Sequence, residues 1–160
     1  MSPARRLGLA TVLIVFLADQ ALKLWLLHGA GLAENGPFDL APFLTIVLAW
    51  NRGISYGLFQ QGTDIGRWLL VVVSFVAAIW LWRWMWRTNE RFTVFSLALI
   101  IGGALGNGLD RAWYGAVVDF VHLHWGDFSW YIFNIADVAI VVGVLGLLYE
   151  SLRPAGSKPA

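Results

Sequence analysis

Two aspartates are the residues best placed to do chemistry in this chain. Asp119 lies in Gly115-Ala116-Val117-Val118-Asp119-Phe120, and Asp137 closes Phe133-Asn134-Ile135-Ala136-Asp137. An unbroken apolar run follows Asp137, which puts it one or two turns inside a buried helix, where a lone carboxyl is mostly protonated. Two carboxyls that share a site do not both ionise cheaply, so one keeps a proton and the pair can hold a water between them. One acid then acts as general base toward that water, and the other protonates a carbonyl oxygen or a leaving amine. This is aspartic-peptidase chemistry, and it needs no thiol. The chain has no cysteine, which excludes a thiol nucleophile, disulfides and thiolate metal sites. The plainer reading, two solvated acids near a helix end, stays open on spacing alone.

Other polar residues stand where apolar ones are expected. Asp19 and Lys23 are four apart, acid first, on one helical face. A buried pair that fixes helix packing and a functional pair are both compatible with that spacing. Asn107, Asp110 and Arg111 gather within one turn after Gly102 and Gly106, whose spacing lets another helix approach closely. Asn134 shares a face with Asp137, and Ala136, Ala139, Gly143 and Gly146 continue as a small-residue stripe. Histidines supply a rival chemistry: His122 and His124, near Asp119 and Asp127, have the spacing of two metal ligands on one side of a strand. No His-Glu-x-x-His pattern supports it, and Ser55, Ser74, Ser96 and Ser129 lie in no nucleophile elbow.

The elements that must position these groups cross a membrane. Of 160 residues, 59% are hydrophobic and only 13% charged, far from a soluble domain's usual quarter, and this also excludes disorder. A net charge of +1 without a basic run argues against nucleic acid as a partner. Four apolar stretches of spanning length run over about 7–27, 68–86, 92–109 and 131–149, in a single integral membrane domain over 1–160. The second and third form a hairpin through 87–91, and the longer connections are 28–66 and 112–130. The expected fold class is an all-α membrane protein with four transmembrane helices and a small extracytoplasmic sheet. Arg5-Arg6 and the apolar run behind them also fit a secretory signal peptide, but the cleavage-site pattern is poor.

Seven bases and two acids fall on the side of the termini and the 87–91 link, a charge of +5, so that side is expected in the cytoplasm. The opposite side holds four bases and eight acids, a charge of −4. Trp80, Trp82, Trp84 and Trp86 alternate with Arg83 and Arg87 as an interface belt at the cytoplasmic end. Trp113, Trp125 and Trp130 lie on the acidic side, open to lipid or substrate. A small proton-coupled transporter using Asp19 and Asp137 is the alternative from another class, although the halves show no repeat.

Five blocks in order carry a resemblance: Asp19-Gln20 with Lys23; Asn51-Arg52-Gly53-Ile54-Ser55-Tyr56; Gly102 to Arg111; Gly115 to Phe120; and Phe133 to Asp137. Together they are similar to the motif set of the bacterial lipoprotein signal peptidases, signal peptidase II. The resemblance implies a four-helix inner-membrane aspartic peptidase that cleaves prolipoproteins just before a diacylglyceryl-modified cysteine. It implies that Asp119 and Asp137 form the catalytic pair, supported by Asn51, Asn107, Arg111 and Asn134, with Asp19 and Lys23 as the first-helix motif. It further implies no metal or organic cofactor and inhibition by the cyclic peptide globomycin. The expected partners are the lipid-modified precursor and membrane lipids, and a monomer is expected. Two positions depart from the family pattern: Tyr56 stands for the usual Phe, and Gly108 for a larger aliphatic residue. Gly108 loosens its helix end by about 1 kcal/mol relative to Ala.

The outer loop suits an extended substrate. Phe43 to Trp50 reads as a strand, Asn51-Arg52-Gly53 as a turn, and Ser55 to Phe59 as a return strand. A substrate could pair with the edge of such a sheet, with Asn51, Arg52 and Gly53 beside its backbone or lipid.

Overall fold

The computed structural model describes residues 1–53 and 64–153. Four of its helices are long and apolar enough to cross a membrane. Helix α1 spans Pro3–Leu24 and continues through a π-helical turn, Trp25–Gly29. Ser2 caps it by accepting from the Arg5 backbone N–H at 3.3 Å, and Pro3 starts it where no N–H is needed. A short helix α2 (Leu32–Asn35) leads to strands β1 (Phe38–Ala41) and β2 (Leu44–Asn51). Helices α3 (Asp64–Arg87) and α4 (Arg91–Tyr114) follow as the expected hairpin. Strands β3 (Val117–Trp125) and β4 (Phe128–Ser129) precede helix α5 (Ile135–Leu152).

Helix α4 is the centre of the bundle. Sixty-seven per cent of its most apolar stretch is buried, against 17 to 28% for the other three. It packs along α1, α3 and α5, while α1 and α3 barely meet. Glycines set the closest approaches. A Cβ on Gly106 would lie 2.7 Å from Asp19 Oδ2 of α1, and one on Gly143 would lie 2.5 Å from the Ser96 carbonyl oxygen of α4. Gly103 meets the Ala136 carbonyl in the same way. The expected Gly102–Gly106 face of α4 thus receives α1, the small-residue face of α5 receives α4, and the polar groups of these helices meet along the two seams.

The four strands form one antiparallel sheet in the order β1-β2-β3-β4. Ala49 faces Asp119 and Asn51 faces Val117 across the β2–β3 pair, with an irregularity between Ile46 and Ala49. Leu26, Leu32, Ile46 and Phe120 form a small core between the sheet and the end of the first helix.

Two expectations change. The 112–130 connection is mostly regular structure: α4 runs on to Tyr114, Gly115 ends it at φ 79°, and Val117–Trp125 is a strand. That strand exists because its β-branched and aromatic residues pair with β2, which is 68 residues away at Asn51 and Asp119. The partners of β2 among the described residues are β1 and β3; the expected return strand Ser55–Phe59 lies outside them, as do Tyr56 and Lys158. Helix α5 starts at Ile135 rather than 131, so Asp137 sits in its first turn and not one or two turns deep. Asn134 stops the helix there by capping it.

Candidate active site

Asp119 is the third residue of β3 and only 2% exposed. Its carboxylate is held from two sides. Asn51, at the end of β2, donates Nδ2 to Asp119 Oδ2 at 3.0 Å, and Asn134 donates Nδ2 to Oδ1 at 2.6 Å. Asp137 is held by the same asparagine and by α4: Asn107 Nδ2 donates to its Oδ1 at 2.8 Å, and the Asn134 backbone N–H donates to its Oδ2 at 3.3 Å. Asn134 Oδ1 accepts in turn from the Asp137 backbone N–H at 2.9 Å, which completes a capping box. One residue therefore ties both acids, one through its side chain and one through its backbone. The Asn134 amide is also 3.1 Å from Asn107 Oδ1, so the three asparagines and two aspartates make one network.

Burial, and then the charge of Asp137, push the Asp119 carboxyl up to about 7, against the pull of the Asn51 and Asn134 hydrogen bonds. A buried acid that keeps its proton toward neutrality suits the acid half of an acid–base pair.

Behind this pair lies a second polar layer. Lys23 Nζ is 2.8 Å from Asp19 Oδ2 and 2.7 Å from Asp110 Oδ2, with all three side chains at most 2% exposed. Asp19 Oδ1 accepts from the Ala136 N–H at 3.1 Å, at the start of α5, where the helix dipole favours an anion. Asp110 accepts from the Val118 N–H at 3.2 Å, next to Asp119 in β3. Lys23 also reaches Asn107 Oδ1 at 3.4 Å. The Asp19–Lys23 pair is thus a packing device: with Asp110 it locks α1, α4, α5 and β3 together around the acids.

Arg111 donates Nη2 to the Gly53 carbonyl at 2.9 Å, and Gly53 N–H donates to Asn51 Oδ1 at 3.0 Å. This chain fixes the Asn51 amide toward Asp119. Arg52 is exposed and takes no part in these bonds among the described residues.

Two contributors were not singled out from the residues. Gln20 Nε2 donates to Asp110 Oδ1 at 2.9 Å and to Asp19 Oδ2 at 3.2 Å, and so bridges the two acids that share Lys23. Its place beside Asp19 was the only signal. Arg67 donates to the Arg111 and Ala112 carbonyls at 2.8 and 2.7 Å, which satisfies the end of α4. No sequence signal links positions 44 residues apart.

The histidines stand apart. The period of β3 puts His122 and His124 on the face opposite Asp119. His124 Nε2 lies 2.9 Å from Thr45 Oγ1, His122 Nε2 lies 2.7 Å from Ser129 Oγ, and Asp127 is exposed. Among the described residues no group of three or more His, Asp or Glu is arranged to hold a metal ion.

Residues 11–153 match the family described as signal peptidase (SPase) II. The chain is 57% identical over 157 residues to a lipoprotein signal peptidase of Methylorubrum extorquens, covering 98% of this chain and 92% of that protein. It is 51% identical over 155 residues to that of Methylocella silvestris, covering 97% and 90%. Its fold is similar to a bacterial membrane enzyme structure obtained by the in meso method at 2.3 Å resolution, with a TM-score of 0.78, 24% identity, and coverage of 96% and 92%. Four apolar helices, a small antiparallel sheet and a buried aspartate network are accordingly the parts of a membrane-bound aspartic peptidase, and the chain belongs to the signal peptidase II family.

Proposed function

We propose that this chain removes the signal peptide from diacylglyceryl-modified prolipoproteins, cutting before the lipidated cysteine, with Asp119 and Asp137 as the catalytic pair. The observation that carries the reading is the double hold of Asn134 on both carboxylates. It keeps two acids converging in a mostly buried place where they share one proton.

The proton rests on Asp119, whose environment favours the neutral acid. Asp137, steadied by Asn107 and the Asn134 N–H, takes a proton from the attacking water. Asp119 gives its proton to the carbonyl oxygen as the hydroxyl adds to carbon. As the tetrahedral diol collapses, one hydroxyl proton returns to Asp119, the C–N bond breaks, and the proton held by Asp137 passes to the leaving amine. The products are the new carboxyl end of the signal peptide and the free amine of the modified cysteine. Asn51, Arg111 and Gly53 hold the sheet end of the site, and Arg52 faces the incoming chain. Asp19, Lys23 and Asp110 keep the helices in register behind it.

The base count supports termini in the cytoplasm and a site at the outer face. The acting unit is a single chain; globomycin-type peptides, as the family resemblance implies, block it. The transporter alternative loses its footing in the geometry, because Asp19 is committed to Lys23 and to the start of α5.

The test is direct cleavage. The purified chain, given a purified lipid-modified precursor, should yield a product whose first residue is the lipidated cysteine. Absence of cleavage under conditions where a family member cleaves the same precursor overturns the reading.

A further inference from the structure

At the basic end of the bundle, away from the aspartates, a groove starts on α3, continues between α3 and α4, and reaches α1 at its far end. Its mouth is a cavity of about 290 Å³ lined by Trp82, Arg83, Trp86 and Arg87. Trp82 and Arg83 also line a second cavity of about 320 Å³, which continues along Ala78 and Phe75 of α3 and Leu105 of α4. Phe75 and Leu105 line a third of about 320 Å³, whose other wall is Val12, Leu13 and Phe16 of α1. Consecutive cavities share lining residues, Trp82 and Arg83 and then Phe75 and Leu105, so they adjoin along α3. From Arg87 to Phe75 the groove follows α3 for about 18 Å at 1.5 Å per residue, close to the ~15 Å hydrocarbon depth of one leaflet.

The mouth has the chemistry of an anion site set in aromatic walls. Arg83 and Arg87 are four apart, so they share a face. The Trp82 and Trp86 rings stack at 5.2 Å beside them. Arg5 backs the wall, with its guanidinium 5.7 Å from the centre of the Trp86 ring and its Nη2 donating to the Trp86 carbonyl at 3.0 Å. Its Nε is buried with no hydrogen-bond partner among the described residues. Paired guanidinium groups recognise a phosphate, and the apolar trough behind them fits a hydrocarbon chain.

We propose that this groove is a binding site for an anionic phospholipid, with the phosphate at Arg83 and Arg87 and an acyl chain along Trp82, Ala78 and Phe75. The competing occupant is the signal peptide of a substrate. It begins with basic residues, which Arg83 and Arg87 repel, so the charge at the mouth selects the lipid.

The experiment is native mass spectrometry of the full chain, equilibrated in detergent with equal phosphatidylglycerol and phosphatidylcholine of the same acyl chains. The wild type should retain phosphatidylglycerol at least tenfold over phosphatidylcholine. Arg83→Gln with Arg87→Gln should bring that preference within twofold while precursor cleavage persists. Arg6→Gln with Arg91→Gln removes the same charge from the same end outside the groove and should leave the preference intact. Ile79→Trp, at an exposed position on the apolar wall, keeps the charge and should lower retention at least threefold. No preference in the wild type, equal loss in the two arginine pairs, unchanged retention in Ile79→Trp, or displacement of the lipid by an unlipidated signal peptide each overturns the proposal.

Discussion

Asn134 donates its side-chain amide to Asp119 Oδ1 at 2.6 Å, and its backbone N–H reaches Asp137 Oδ2 at 3.3 Å. A single residue between a strand and a helix thereby sets the position of one acid relative to the other. Asn134→Ala should lower kcat/KM for a lipid-modified precursor by about a hundredfold, because small displacements of a reacting pair are costly. Loss of the cap should cost about 1 kcal/mol of stability, and removing the buried amide from Asp119 and Asn107 about 1–3 kcal/mol more. A kcat/KM within threefold of wild type, in a folded variant, contradicts this role.

The pH dependence follows from Asp119. With its carboxyl raised to about 7, the pair holds one shared proton below that pH and loses it above. The rate should be bell-shaped, with its alkaline limb near 7. Stability should move the same way. The folded chain holds a proton that the unfolded chain releases from about pH 4 upward, so stability is greatest below that point and declines as pH rises toward 7. Thermal unfolding in detergent at several pH values checks the sign, and Asp119→Asn should flatten the decline.

Lys23 has two acids, and each acid has other donors as well. Lys23→Met should therefore destabilise more than Asp19→Asn. Removing the lysine leaves two buried carboxylates uncompensated, at about 3–5 kcal/mol, whereas removing Asp19 leaves Lys23 with Asp110. The Tm values of the two variants in one detergent compare them. An equal or smaller loss in Lys23→Met contradicts the three-way cluster.

Gly106 is where α1 comes closest to α4 with a charge on its face. A Cβ there meets Asp19 Oδ2 at 2.7 Å, so Gly106→Ala should cost about 1–3 kcal/mol and reduce cleavage together with stability. A Tm unchanged from wild type would show that the helices part without cost.

The four spans and the polar residues were legible because long apolar runs and ionisable groups within them are strong local signals. The Asp19–Lys23 pair was visible for the same reason, four residues apart on one helix. Its third member was not, because Asp110 meets Lys23 only when α1 and α4 pack. The strand Val117–Trp125 is legible only as the alternation of His122 and His124, because its partner lies far back in the chain and pairing rather than propensity sets its extent. Asp137 lies nearer its helix start than the apolar run after it suggests. The apolar run after it hid a helix start, although Asn134 three residues earlier is a capping signal that the helical spacing alone did not separate from a shared face.

The central claim is that Asp119 and Asp137 act as one pair. Asp119→Asn and Asp137→Asn, each purified in folded form and given a lipid-modified precursor, test it in a single cleavage assay. Both variants should lose cleavage by several orders of magnitude, and the double variant should be no slower than either alone. Retained cleavage in either single variant contradicts the account.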